Sequence, residues 1–178
     1  AYFWEERNRW FSDVWTEIRG ELQSLDRGEL RERSAAYPFE IPYRLVNMYS
    51  VYGDTVLDPF WGTGTTSLAA MVAGRNSVGY ELDEAFVSVF EERVPEIPGM
   101  SRDVVGARLD DHREFVAERR DAGKDFAYGA DYYDFPVTTK QEASIRFYAV
   151  AGVRETEHGY RAIHEPVEWE DLAGRSVD

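Results

Sequence analysis

The sequence has 178 residues, one domain's worth of chain and enough to bury a core, and its apolar content of 43% is ordinary for a globular protein. It has no cysteine, which excludes disulfides and cysteine metal sites, and no apolar run near the roughly 18 residues of a membrane span. The net charge is −14, with 34 acidic against 20 basic residues, which excludes an overall basic surface of the kind a DNA-binding domain ordinarily shows.

Two explanations of the charge compete. Either the chain does not touch nucleic acid, or it is halophilic and comes from a high-salt cytoplasm, where self-repulsion is screened. The second is favoured, because only Lys124 and Lys140 are lysines and the other basic residues are arginines. DNA contact would then depend on local arginine clusters or on parts outside this chain. There is no signal-peptide pattern, so a cytoplasmic location is expected. The chain opens on Ala1 and not on Met, which suggests a fragment with something missing upstream.

Aromatic residues crowd the start. Trp10, Phe11, Val14, Trp15, Ile18, Leu22 and Leu25 fall at steps of three and four, which predicts an amphipathic helix over 10–25. Its aromatics, with Tyr2-Phe3-Trp4 and the interleaved arginines, could stack on bases. Packing on a core is the favoured alternative. Residues 26–36 are charged and turn-like. In Tyr37-Pro38-Phe39-Glu40-Ile41-Pro42 the two prolines keep the chain extended before a helix over 43–50, with Pro42 in its first turn.

Next comes Gly53-Asp54-Thr55-Val56-Leu57-Asp58, a short apolar strand that ends in an acid. Pro59 stops it, Gly62 and Gly64 make a turn, and residues 66–73 form a small, apolar helix capped by Gly74. Ser77-Val78-Gly79-Tyr80-Glu81 is a second strand. Residues 54–81 are therefore one right-handed β-α-β unit. Ligands of open α/β sheets sit beyond the carboxyl ends of the strands, where this turn lies. The dinucleotide pattern is broken, because Ser67 stands where a third glycine would, and no phosphate-loop lysine follows. Asp58 at the strand end repels a phosphate and attracts a cation. That favours S-adenosylmethionine, which carries a sulfonium and an ammonium and no phosphate. Glu81, about 20 residues past the turn, is placed to accept hydrogen bonds from ribose hydroxyls; opening the next helix is its bland alternative.

Asp58-Pro59-Phe60-Trp61-Gly62-Thr63-Gly64-Thr65-Thr66 resembles the cofactor motif of amino-directed DNA methyltransferases, which methylate cytosine N4 or adenine N6. Their pattern, Asp-Pro-Phe-x-Gly-x-Gly-Thr-Thr, is matched at every fixed position. The resemblance covers about residues 35–93. It implies a Rossmann-like α/β S-adenosylmethionine-dependent methyltransferase fold, partial, with additional C-terminal strands. It also implies site roles. Asp58 lies near the methionine ammonium, Tyr37, Pro38, Phe39 and Phe60 shape the pocket with Pro59, and Gly62 and Gly64 allow close approach. Thr65 supplies a hydrogen bond and Glu81 holds the ribose.

Beyond the unit, a helix over 84–93 is expected to end at Pro95 and Pro98, and a third helix to run from Asp103 to Arg120. His112 on that helix reads as a surface or capping residue; His158 and His164 are isolated, and no metal is assigned. Residues 145–150 alternate as a strand, with Gly159–Ile163 and Val167–Trp169 as a further pair. Asp131-Tyr132-Tyr133-Asp134-Phe135-Pro136 suggests base stacking, or more simply a surface loop with its aromatics tucked in.

The family holds the target amine with an Asp/Ser-Pro-Pro-Tyr motif, and this sequence contains no Pro-Pro. No catalytic residue is assigned. Many members are permuted, with that motif first and the cofactor motif last. Residues 1–34 would then be the helical tail of a missing or separate catalytic half, 35–93 the cofactor core, and 94–178 a C-terminal helix and strands of one methyltransferase-like domain. The expected activity is site-specific DNA methylation at an exocyclic amine, with cytosine N4 preferred over adenine N6. A non-catalytic S-adenosylmethionine-binding or interaction module is the alternative. An RNA or small-molecule methyltransferase on the same scaffold ranks third.

Overall fold

The computed structural model describes residues 1–19 and 37–168. Its centre is the β-α-β unit: β1 (Thr55–Asp58), α3 (Thr65–Val72) and β2 (Asn76–Gly79). The strands are parallel, in register from Thr55↔Asn76 to Asp58↔Gly79. The α3 side chains are small and apolar, and Leu68, Ala69, Ala70 and Val72 are buried. A Schellman pair ends the helix, with Gly74 N–H to the Met71 carbonyl (3.1 Å) and Arg75 N–H to that of Ala70 (2.7 Å).

Ahead of this unit are α1 (Trp4–Trp10) and α2 (Glu40–Tyr49). Pro42 sits in the first turn of α2, as its fixed φ and missing N–H favour. The helix expected over 10–25 does not form over residues 11–19. Trp10 is buried, whereas Phe11 and Val14 are exposed, so the three-four spacing does not mark one covered face. Ser12 and Asp13 favour turns over helix, and the Trp15 indole N–H takes the Trp10 carbonyl at 2.9 Å. Residues 20–25 of that predicted helix and the turn over 26–36 lie outside the described residues. Of the aromatics at the start, Phe3 and Trp10 are buried.

After the unit, α4 (Glu84–Arg93) has the expected bounds, and Asp83 caps it through Ala85 N–H at 3.0 Å. A 3₁₀ turn (Val94–Glu96) leads into α5 (Ile97–Asp121), which starts well before the expected Asp103. Pro95 and Pro98 each sit in a first turn, where a missing N–H is harmless. They open the next element as much as they close the last. The short strands β3 (Tyr128–Gly129) and β4 (Pro136–Val137) pair antiparallel; Tyr133 and Phe135 of their connection are tucked in, whereas Tyr132 is exposed.

β5 (Tyr148–Thr156) and β6 (Gly159–Pro166) form a hairpin with an irregularity between Val150 and Gly152. This corrects two expectations. Residues 145–147 precede the strand, and Gly159–Ile163 pairs back onto β5; Trp169 of the other predicted strand lies outside the described residues. Glu157-His158 is not a turn dipeptide with a strong signature, so the hairpin was easily missed.

α5 ties two apolar clusters together. Ile97 joins Leu68, Val72 and Phe90 of the β-α-β side; Val105 and Leu109 join Phe3, Phe135 and Phe147. Arg108 of α5 is buried between them. Its guanidinium meets both Glu6 oxygens (2.6 and 2.7 Å), the Tyr43 hydroxyl (3.0 Å) and the Ala1 carbonyl (2.8 Å). Burial works to lower its pKa, the Glu6 carboxylate outweighs that, and the net shift is upward. His112 is fully buried, contrary to the surface or capping role expected. Its Nδ1 lies 2.6 Å from Glu5 Oε1 and its Nε2 3.0 Å from the Pro136 carbonyl, and its ring stacks on Phe3. Among the described residues no helix is long and apolar enough to cross a membrane.

Candidate functional site

Between Asp58 and Thr65 the chain leaves β1, turns and enters α3. The Asp58 carboxylate accepts the Phe60 N–H at 3.0 Å, and Gly64 N–H bonds the Trp61 carbonyl at 2.9 Å. Main-chain bonds fasten this turn to the chain beyond β2: Tyr80 N–H to the Asp58 carbonyl (3.0 Å), and Trp61 N–H to that of Tyr80 (3.1 Å).

Gly62 (φ +53°) and Gly64 (φ +72°) both adopt left-handed backbone, which side chains rarely tolerate. Their surroundings differ. A Cβ on Gly62 would meet nothing nearer than the Phe60 carbonyl at 4.0 Å, so the space over it is open. A Cβ on Gly64 would lie 2.5 Å from the Phe90 ring and 2.9 Å from Trp61, so aromatic rings fill that space.

Glu81 fastens the open side. Oε2 accepts Gly62 N–H (2.8 Å), while Oε1 accepts those of Leu82 (2.8 Å) and Asp83 (3.0 Å). The Asp83 amide, with help from Gly62 and Leu82, favours the carboxylate over its acid and holds its pKa below the ordinary 4.5. A depressed pKa stabilises the fold above the unfolded-state value and loses that contribution as pH falls through the folded one. Glu81→Gln should therefore lower the melting temperature near neutral pH. The gap should close below about pH 4. Parallel thermal melts of both proteins across pH test this, and a constant gap would sink it.

The lead-in segment meets the same place. The Tyr37 and Thr66 hydroxyls are 2.7 Å apart, joining it to the first turn of α3. Pro38 is buried, and Phe39 stacks on Tyr43 with centroids 5.2 Å apart. Thr65 is buried, its hydroxyl 3.5 Å from that of Thr63. Pro59 is exposed, and Phe60 is 90% exposed at the tip of the turn. Contacts thus join Tyr37 to α3, and Asp58, Gly62 and Glu81 to one open turn. Phe39 points to the core and Phe60 to the outside.

Sequence reading missed Trp61, which occupies the free position of the motif. Its indole N–H donates to Ser67 Oγ (2.7 Å), which lies 2.9 Å from Ser77 Oγ, and its ring is 4.8 Å from Phe90. It lies on Gly79, where an added Cβ would overlap the indole. A glycine inside a strand beside a Gly turn was the available signal, since it often marks a close approach. Among the described residues no group of His, Cys, Asp and Glu could hold a metal ion. A cleft of about 910 Å³ lies elsewhere, between Tyr2–Trp4, Asn47–Tyr52 and Thr139–Tyr148, beside the segment that enters β1 and not the turn that leaves it.

A parallel β-α-β unit with an open glycine turn at its carboxyl end, closed by an acid two residues past the second strand, defines a Rossmann-like α/β domain. The family model for N6 and N4 methyltransferases, described as DNA methylase, matches residues 1–92, and the chain belongs to that family. Over 148 residues it is 56% identical to the type II methyltransferase M.MthZI of Methanothermobacter thermautotrophicus, which covers 83% of this chain and 40% of that protein. M.MjaI of Methanocaldococcus jannaschii is 46% identical over 116 residues, 65% of this chain and 35% of that one. The chain therefore spans well under half the length of these relatives. A Thermus thermophilus protein assigned to the DNA modification methylases and solved in complex with S-adenosyl-L-methionine aligns at 41% identity and a TM-score of 0.44. That alignment covers 53% of this chain and 34% of that one.

Proposed function

We propose that this chain is the S-adenosylmethionine-binding portion of a DNA methyltransferase acting on an exocyclic base amine, cytosine N4 in preference to adenine N6. The observation that carries the reading is the turn: an acid at the strand end, open space over Gly62, and Glu81 holding the Gly62 amide. Bound there, S-adenosylmethionine supplies a methyl group on an electrophilic sulfonium. Asp58 places negative charge beside the ligand's cationic end, and Gly62 lets the main chain come close. Tyr37 and Pro38 wall the methionine side with Pro59 and Phe60, Phe39 backs that wall from the core, and Gly64 and Thr65 shape the start of α3. A carboxylate has about four lone-pair sites. Three amides occupy Glu81. It can take one ribose hydroxyl directly, and a second by releasing an amide.

The amine of a paired base is delocalised into the ring and must be presented by extrusion of the base. Nothing in this sequence matches the family's Pro-Pro motif for that task. The proposal therefore includes a separate or missing catalytic half. The bare face of the small sheet supports it. Leu57 and Val78 are register partners on β1 and β2, and both are exposed. Parallel sheets are almost always covered on both faces, and two strands alone make no stable sheet. DNA is the partner of the whole, and a high-salt cytoplasm the setting that fits −14. The missing Pro-Pro equally favours a second reading, a non-catalytic S-adenosylmethionine-binding module.

Isothermal titration with S-adenosylmethionine in high salt tests the core of the reading. The parent chain should bind, and Asp58→Ala should weaken binding about tenfold, as loss of one charge-assisted contact does. No heat from the parent chain would end the proposal. Methyl transfer to DNA upon adding a Pro-Pro-bearing half separates the enzyme from the module.

A further inference from the structure

Three contacts fix how the β5–β6 hairpin lies against the β-α-β unit. At its open end Tyr148 meets Tyr52, just before β1, with ring centroids 5.8 Å apart. His164 Nε2 lies 2.7 Å from the Met71 carbonyl, near the C-terminus of α3. Close to its tip Tyr160 meets Phe90 at 5.9 Å, and Phe90 in turn packs on Trp61 of the turn. The hairpin therefore runs alongside the β-α-β unit, and its tip reaches the end where β1 delivers Asp58.

Alternation then sorts its side chains. Val153 and Ala162 are register partners that pack inward. Glu155 pairs with Tyr160, whose ring packs on Phe90 and so faces that same inner side. The pair between them, Arg154↔Arg161, is directed outward, and both residues are exposed. Neither makes a hydrogen bond or an ion pair with any described residue. Like charges directly opposite on paired strands destabilise a sheet. In a chain carrying 34 acidic residues a partner would be easy to supply, and none is supplied among the described residues. By contrast Arg9, Arg44, Arg108, Arg113 and Arg146 each have a carboxylate. The outward face beside the pair stays clear, since a Cβ on Gly152 would meet nothing within 4 Å.

We infer that Arg154 and Arg161 form a two-arginine contact for the phosphodiester backbone of DNA, carried by the β5–β6 ribbon at the cofactor end of the domain. Guanidinium groups suit phosphate oxygens through paired N–H donors, and a two-stranded ribbon is narrow enough to follow a groove edge. The contact positions the duplex and carries no base sequence itself. It gives an acidic chain a local pair of positive charges through which to meet DNA. The inference rests on the DNA methyltransferase reading.

The test is binding of the full chain to a short fluorescent duplex of mixed sequence, followed by anisotropy over a series of KCl concentrations. Arg154→Thr with Arg161→Thr should lower the salt slope by about 2, near 0.9 per phosphate contact, and weaken low-salt binding about tenfold or more. The same variant should melt no lower than the parent, because threonine suits strands and a like-charge pair is gone. Arg154→Lys with Arg161→Lys should keep the slope. Arg120→Ser with Lys124→Ser, at the end of α5, removes equal charge and should leave it unchanged. The inference is overturned if the threonine variant keeps the parent slope, if the α5 variant loses as much, or if the parent chain binds no duplex. In each of those cases heat of S-adenosylmethionine binding still reports separately on the cofactor site.

Discussion

Arg108→Ala should cost about 3–5 kcal/mol of folding stability, the largest single-residue effect expected in this chain. The reason is what it leaves behind. Glu6 is 1% exposed, and Arg108 supplies the two charged donors that meet its two oxygens. Without the guanidinium, a buried carboxylate must stay charged without a counter-ion or take up a proton. The Tyr43 hydroxyl and the Ala1 carbonyl lose a donor at the same time. Arg108 also stacks against Phe147 and Trp10, at 4.4 and 5.1 Å from their centroids, so aromatic packing is lost with the charge. Urea unfolding near neutral pH measures the loss. Removing both charges, Arg108→Met with Glu6→Leu, should recover much of it, since a buried pair replaced by apolar groups is often neutral. Recovery stays partial because Glu6 also accepts the Phe3 N–H at 2.7 Å. A loss under about 1 kcal/mol for Arg108→Ala would show that water reaches Glu6.

That buried pair was invisible in the sequence. Glu6 and Arg108 stand 102 residues apart, and each, read alone, is an ordinary surface charge. His112 was misread for the same reason: its partners, Glu5 and Pro136, come from distant segments that meet only in the folded chain. The β-α-β unit was legible because its signals are local. A strand ending in an acid, two glycines, a run of small apolar residues and a capping glycine each act within a few residues of their own position. The nearness of Glu81 to the turn was also readable, because β-α-β geometry returns the second strand beside the first, but its hold on the Gly62 amide was not. The N-terminal helix failed over residues 11–19 because three-four spacing measures periodicity alone, and Ser12 and Asp13 offer the main chain other partners. The hairpin failed because Glu157-His158 lacks the Asn-Gly or Asp-Gly signature of a tight turn.

Gly79 illustrates both limits, and it carries the second large prediction. By sequence it is a weak spot in a strand. In the structure it is the floor under Trp61, and Gly79→Ala would drive a methyl into the indole, 2.5 Å from its Cγ and 2.6 Å from its Nε1. The backbone there needs no special conformation, so the whole effect is steric. Neither neighbour can yield cheaply. β2 is held in register against β1, and the indole is fixed by Ser67 and wedged against Phe90. The expected cost is about 2–4 kcal/mol, from overpacking together with loss of the Ser67 bond. Since Trp61 N–H also holds the Tyr80 carbonyl, a displaced Trp61 loosens the turn at Gly62 and carries Glu81 with it. S-adenosylmethionine binding should fall more than tenfold, a loss of over about 1.4 kcal/mol. Gly99→Ala is the control: nothing lies within 4 Å of its added methyl, and in a helix the change should stabilise by about 0.5–1 kcal/mol. Trp61→Val should weaken binding by itself but make Gly79→Ala nearly neutral when combined, because the clash has lost its partner. Melting and cofactor titration of the four proteins in this cycle measure the coupling. Additive losses at Gly79 and Trp61 would mean that the glycine serves the strand and not the tryptophan.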